Sequence, residues 1–316
     1  MGNKINISRH LFYATILLFV VSTFSCNNGD KKKEPTDTPT SGKVNIAIDE
    51  SYSLLFDTEI YTFESLYVNA KVHARFLPET EALKSLMDDS VKVVVMNRAL
   101  SEGEKQSFKA QNIYPIETKI AEDAIAFVVN NENPDTNLLF DQIEKILNGT
   151  DSTWKQVNPS SKLGKLNIIF DNPNSANARY IAEFSKQDKL PANAFAVKSN
   201  AEVVDYVSKN QGALGVVSVN WVSDSDDSTS IGFLKKIKVV GISKEGDSER
   251  FYKPYQAYIK TKDYPFCRDV YMINRQTRAG LGKGFVSFVA GTKGQLIILK
   301  MGLIPAIAPV RMIEIN

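Results

Sequence analysis

Histidine and cysteine are almost missing: the 316-residue chain has two of each. His10 lies in the first, basic stretch, which leaves His73 as the sole histidine beyond it. A zinc site built from several histidines is therefore excluded, and no CxxC or HExxH pattern occurs. A Ser-His-Asp triad would have to recruit His73, and no GxSxG turn exists to carry its serine. His73 sits in the alternating run Lys71 to Phe76, the setting of an ordinary strand residue. A dominant sign of charge is lacking too. With 38 Lys and Arg against 36 Asp and Glu, nothing points to nucleic acid or an anionic membrane face as partner. These absences argue against an enzyme and against a metal or organic cofactor.

Long apolar runs are absent apart from Leu11 to Val21. That run is short of the roughly 20 residues a membrane-spanning helix needs. It follows Lys4 and Arg9 and precedes Ser22-Thr23-Phe24-Ser25-Cys26, so residues 1–25 read as a secretory signal. Cys26 resembles the acylated cysteine of bacterial lipoproteins, with Ser25 fitting before it. Lipid chains there would hold the protein to a membrane without a spanning helix, in the cell envelope and facing the periplasm or exterior. Asn27 to Gly42 has no large apolar residue and is rich in Lys, Pro, Thr and Asp. Such a stretch buries too little to offset its ordering entropy, so residues 26–42 are expected to form a flexible tether. With Cys26 acylated, Cys267 has no disulfide partner and reads as a small buried residue. Stability must then come from a sizeable core, which a 43% hydrophobic content allows.

Beyond the tether, short apolar runs alternate with amphipathic ones. Strands are predicted at 43–48, 71–76, 91–96, 124–129, 166–170, 213–217, 238–242, 255–260 and 269–273. Helices are predicted at 54–68, 79–88, 101–111, 138–148, 175–185, 201–209, 283–290 and 293–301. Ser101 with Glu104 three residues on is a capping-box pattern. Ser223 to Ser230 is polar and reads as a surface loop. The alternation implies a parallel-rich α/β architecture. A layout of two lobes, each a mixed sheet flanked by helices with a ligand cleft between them, suits it: residues 43–129 plus 238–316, and 130–237. Chain crossings near Val129-Asn130 and Val222 to Lys238 are the expected hinges.

Three strand-to-helix loops share hydroxyl and amide side chains: Asp49 to Ser53, Asn97 to Ser101, and Asp171 to Asn177 with Arg179 beyond. Free amides and the dipole at a helix start favour an anion, and Arg98 and Arg179 could add a bidentate grip. Ser, Asn and Asp are also the ordinary helix N-caps, so each loop taken singly reads as a cap before a ligand site, and only their convergence would point to an anion. Gly280 to Gly284 lacks the full P-loop pattern and reads as a turn, and Trp154 and Trp221 read as packing residues.

Several segments, in order, resemble the PstS-like phosphate-binding proteins of ABC importers, a branch of the type II periplasmic binding proteins. Val93 to Glu102 (VVVMNRALSE) resembles the family segment IASRPLTDEE, and Ile120 to Asn130 (IAEDAIAFVVN) resembles IAxDAIAVIVN. Gly212 to Val217, Tyr264 to Arg268 (YPFCR) and Phe285 to Pro305 resemble further family segments. The resemblance implies the two-lobed clamp, a phosphate or similar oxyanion ligand and an ABC permease partner. It also implies a membrane contact through the lipid only, and a monomer. It places the second phosphate loop on Asn97 and Arg98, and the third on Asn174, Ser175, Ala176 and Asn177 with Arg179 close by. The first loop falls on Ser51 and Tyr52. Asp49, Glu50 and Tyr52 stand where the family has small residues, so Asp49, Glu50 or Asp171 is a candidate acceptor for a proton of hydrogen phosphate. Asp123 is expected at the lobe crossing. A sensory or surface-interaction module on the same fold, or a binder of another small anion, is the alternative.

Overall fold

In a computed structural model, the described residues are 37–186, 190–222, 232 and 234–308, and residues 37–316 form one compact unit. The expected signal, Cys26, the tether up to residue 36 and the polar insertion lie outside the described residues. Among the described residues, no helix is long and apolar enough to cross a membrane.

The chain begins with β1 (Gly42–Asp49), a 3-10 turn (Glu50–Tyr52), α1 (Ser53–Leu66), β2 (Ala70–Leu77) and α2 (Glu79–Met87). It continues through β3 (Val93–Met96), α3 (Glu102–Ala110), β4 (Ile116–Asn130), β5 (Asn137–Leu138), α4 (Phe140–Leu147) and α5 (Trp154–Val157). Then come β6 (Asn167–Phe170), α6 (Ala176–Ser185), β7 (Ala194–Ala196), α7 (Asn200–Lys209), β8 (Ala213–Ser218) and a 3-10 turn (Val219–Trp221). The last part holds β9 (Ile237–Val239), β10 (Gly241–Ser243), β11 (Phe251–Tyr252), α8 (Gln256–Lys260), β12 (Cys267–Asn274), α9 (Leu281–Val289), α10 (Thr292–Lys300) and β13 (Ile304–Pro305).

One sheet runs β2-β1-β3-β12-β4-β8-β6-β7. Strands joined through helices pair in parallel, as β1 does with β2 and β3, and β6 with β7 and β8. The middle is antiparallel: β12 pairs β3 and β4, and β4 pairs β8. The sheet is therefore mixed, more so than the parallel-rich pattern expected. β4 pairs β12 up to Ala124 and β8 from Ile125 onward, so one strand serves both halves of the sheet. This change of partner falls ahead of the crossing expected at Val129-Asn130. One large core packs against β1, β2 and β3, with Phe56, Phe63 and Phe285 in edge contact. A second gathers around β6, β8 and the end of β4, with Trp154 and Phe266 inside.

Three expectations need correction. Where a strand is expected at 255–260, Gln256–Lys260 form the helix α8 with Tyr255 as its N-cap, because Tyr255, Tyr258 and Ile259 recur at helical rather than alternating spacing. The strand expected at 238–242 breaks at Val240, whose N–H donates to Phe127 O at 2.8 Å, and continues as β10 beside β5. The tether does not reach Gly42. Asp37 Oδ1 accepts from Leu281 N at 2.8 Å, Thr38 bridges Ser41, and Gly42 already pairs with Ala70 in β1. Pro39 lies so close to α9 that a Cβ built on Gly284 falls 1.8 Å from its carbonyl oxygen. Gly284→Ala is accordingly expected to cost about 1–3 kcal/mol. Urea unfolding would read that loss, together with faster proteolysis at residues 37–41. Cys267 is half-buried, with its thiol pushed up to about 11 by burial, so it packs rather than reacts.

Candidate functional site

The strand ends of both halves of the sheet meet at one buried place. β1 ends at Asp49, whose Oδ1 accepts from Ser51 N at 3.0 Å and so caps the following turn. Ile48 pairs with Val95, which sets the end of β3, and with it Asn97, beside Asp49. β6 leads into Asp171 to Ser175. There Ser175 Oγ donates to Asp171 Oδ1 at 2.7 Å and accepts from Ala178 N at 3.1 Å as the cap of α6. Ala176 and Asn177 open that helix, where backbone N–H groups have no intrahelical partner.

Arg268, on β12, is the hub. Its Nε donates to Asp123 Oδ2 and its Nη1 to Asn177 Oδ1, both at 2.8 Å, and it is buried. Asp123 also accepts from Tyr52 Oη at 3.0 Å and from Ser218 Oγ at 2.9 Å. Asn177 Nδ2 donates to Asp171 Oδ1 at 3.2 Å and to Asn200 Oδ1 at 3.3 Å, while Asn200 Nδ2 reaches Asp171 Oδ2 and Glu50. On the far side, Asn220 Nδ2 and Trp221 Nε1 donate to Ser51 O at 3.1 and 2.9 Å. Asp123 thus stands where the chain passes between the halves, as expected.

Within this ring, five buried side-chain atoms have no partner among the described residues: Asp49 Oδ2, Ser51 Oγ, Asn97 Nδ2, Asn220 Oδ1 and Arg268 Nη2. Buried polar groups are ordinarily paired, so a cluster of this kind calls for a polar ligand. Arg268 Nη2 and Asn97 Nδ2 are donors, Ser51 Oγ can act either way, and Asp49 Oδ2 and Asn220 Oδ1 are acceptors. Burial first, then the charges of Asp171 and Glu79, pushes the Asp49 carboxyl up to about 7. Burial also raises Asp171 and Glu50. The place combines one buried guanidinium with an unpartnered carboxyl whose ionised form can accept a proton, which suits an oxyanion that carries one.

The other two arginines sit at one corner of this cluster. Arg98 makes a bidentate pair with Glu104, 2.8 Å on each arm, and its Nε donates to Glu79 Oε1 at 3.1 Å. Arg179 holds Glu79 at 2.7 and 3.2 Å, Glu183 at 2.7 Å, and Asn97 Oδ1. Their charges are spent on carboxylates. Asn174 is exposed, and its carbonyl accepts from Thr80 N at 3.4 Å and Thr80 Oγ1 at 3.3 Å.

Of the residues expected to bind, the structure brings Ser51, Asn97, Ser175, Ala176 and Asn177 together. The Tyr52 hydroxyl serves Asp123, and Arg98, Arg179 and Asn174 stand outside the ring. Arg268, Asn200 and Asn220 join the same network and are not among the residues expected to bind. Only Arg268 carried a signal, as the last residue of Tyr264 to Arg268.

Residues 33–293 match the family model of the PBP superfamily domain. The chain belongs to this superfamily. The two-lobed α/β clamp with a sheet flanked by helices is the PBP fold, and it agrees with the fold class expected from the sequence. The chain is similar to the phosphate-binding protein PstS of Borreliella burgdorferi, 23% identical over 305 residues, which cover 92% of this chain and 97% of that one. It is also similar to the PstS of Staphylococcus haemolyticus, 26% identical over 63% of this chain but only 61% of that protein. Among solved PBP structures, a Clostridium perfringens protein assigned as a phosphate ABC transporter substrate-binding protein, with bound phosphate, superposes with a TM-score of 0.71. That match has 19% identity and covers 84% of this chain and all (100%) of the other.

Proposed function

We propose that this PBP-superfamily chain captures inorganic phosphate between its two lobes for an ABC permease. The observation that carries the reading is the ring of unpartnered buried polar atoms around Arg268. Arg268 Nη2, Asn97 Nδ2, Ser51 Oγ and the α6 amides would take the phosphate oxygens. Asp49 Oδ2, unpartnered among the described residues, would as the ionised carboxylate accept the proton of hydrogen phosphate. The lobes are taken as residues 43–129 plus 238–316 and residues 130–237, closing over the anion as a monomer. Anchorage in the cell envelope through acylated Cys26 rests on the sequence of residues 1–26. Binding, not turnover, is the activity.

Calorimetric titration of the full chain, unfolded, dialysed and refolded to strip bound anion, tests this. Phosphate is expected to bind at micromolar or tighter concentration, and sulfate at least about a hundredfold more weakly, roughly 2.7 kcal/mol. Sulfate has no proton to give Asp49 at neutral pH, and an unpaired buried acceptor costs about 1–3 kcal/mol. In Asp49→Asn the amide can donate instead, so the preference for phosphate over sulfate should fall by at least about tenfold, the equivalent of 1.4 kcal/mol. Silence toward both anions in the parent protein would reject phosphate and leave a sensory or surface-interaction role on this fold.

A further inference from the structure

At the corner of the cleft, Glu79 joins elements from the two halves of the sheet. It is the first residue of α2, which follows β2, and it is buried. A carboxylate at that position is favoured by the helix dipole. Arg98, from the loop after β3, reaches it at 3.1 Å, and Arg179, from α6 after β6, at 2.7 Å. Arg179 additionally donates to Asn97 Oδ1 and thereby fixes an amide whose Nδ2 belongs to the ring of unpartnered atoms. Thr80 and Asn174 touch across the same corner. Around these two guanidiniums stand three carboxylates, Glu79, Glu104 and Glu183, so an arriving anion meets no net positive charge there.

We propose that Glu79 is an internal anion with two effects: it latches the halves of the cleft together, and it withholds Arg98 and Arg179 from the ligand so that the site keeps its selectivity. Its carboxylate takes the place at these arginines that a second anion, or a less discriminating one, would otherwise take. The selectivity part rests on the oxyanion reading above; the latch part does not.

Glu79→Gln keeps the shape and removes the charge, and Arg179→Gln cuts the same link without freeing a cation. Small-angle scattering of the anion-free full chain is expected to give a larger radius of gyration for both variants than for the parent. Titration with sulfate is expected to show a gain of about tenfold or more for Glu79→Gln alone, because Arg98 and Arg179 then lack the carboxylate that holds them from an anion. Phosphate, already fully met by the ring, should gain less than sulfate, and an equal gain for both anions would reject the selectivity part. The proposal is overturned if Glu79→Gln scatters like the parent protein, or if its sulfate affinity matches the parent's. If the parent protein binds neither anion, the phosphate assignment fails while scattering still decides the latch.

Discussion

Replacing Arg268 by Gln is expected to abolish anion binding and to destabilise the fold by about 3–5 kcal/mol, the usual cost of breaking a buried ion pair from one side. The arginine and Asp123 lie 2.8 Å apart and both are buried, so the variant leaves Asp123 as an uncompensated charge in the interior. Tyr52 and Ser218 would still donate to that carboxylate and hold part of the loss in check. The ligand has no such reserve. Arg268 is the one guanidinium of the cluster with a buried, unpartnered nitrogen, whereas Arg98 and Arg179 are held by carboxylates. Thermal unfolding with and without phosphate separates the two effects. A ligand that binds only the native state at a hundred times its Kd adds about 2.7 kcal/mol. The parent should therefore show a clear rise in melting temperature with phosphate, and the variant none. A phosphate-dependent rise of full size in Arg268→Gln would remove this residue from the site.

Glu59 has the second large effect, and its sign is opposite. It lies on the buried face of α1 with Leu55, Phe56 and Phe63, and neither carboxyl oxygen has a partner. Burial pushes it up to about 9 from an ordinary value of 4.5. In the unfolded chain it ionises near pH 4.5; in the fold it stays protonated until about pH 9. The unfolded state therefore binds fewer protons through this window, and stability falls as pH rises across it. Asp49, raised from 3.8 to about 7, adds the same sign over its own window. The anion-free protein should thus be more stable at pH 5 than at pH 8. At pH 7 the strain at Glu59 amounts to about 3 kcal/mol, from roughly 2.5 pH units at 1.36 kcal/mol each. Glu59→Met should recover most of it, raising the melting temperature by on the order of 5–10 °C and flattening the pH profile above pH 5. A variant that melts at or below the parent's temperature at pH 7 would sink this account.

Much of the architecture was readable because it rests on local patterns. The Ser101 cap with Glu104 forms as its spacing implied, and the closing helices fall within a residue or two of the apolar periodicity. The failures come from tertiary context. Residues 37–41 are polar and look free, yet Gly284 opens a slot that seats Pro39, and no local pattern announces a neighbour 245 residues away. The site was legible only as three loops. Ser51, Asn97 and Asn177 stand out in the sequence because hydroxyls and amides at helix starts have a chemistry of their own. Arg98 and Arg179 were read as free cations because the sequence does not reveal that Glu79, 19 and 100 residues away, lies between them. Arg268, in mid-strand, has neither cap nor loop to mark it.

The unbroken run of β4 bears on how the cleft can move. Its partner changes from β12 to β8 between Ala124 and Ile125, with Ile125 N still donating to Phe266 O at 2.9 Å. No flexible joint separates the halves at that step; a continuous hydrogen-bonded ribbon joins them. Opening must flex this ribbon as a leaf spring flexes, with a restoring force that grows with amplitude. Asp123, one residue before the change of partner, carries Arg268, Tyr52 and Ser218 at that step. An anion seated on Arg268 would therefore stiffen the spring where its partner changes.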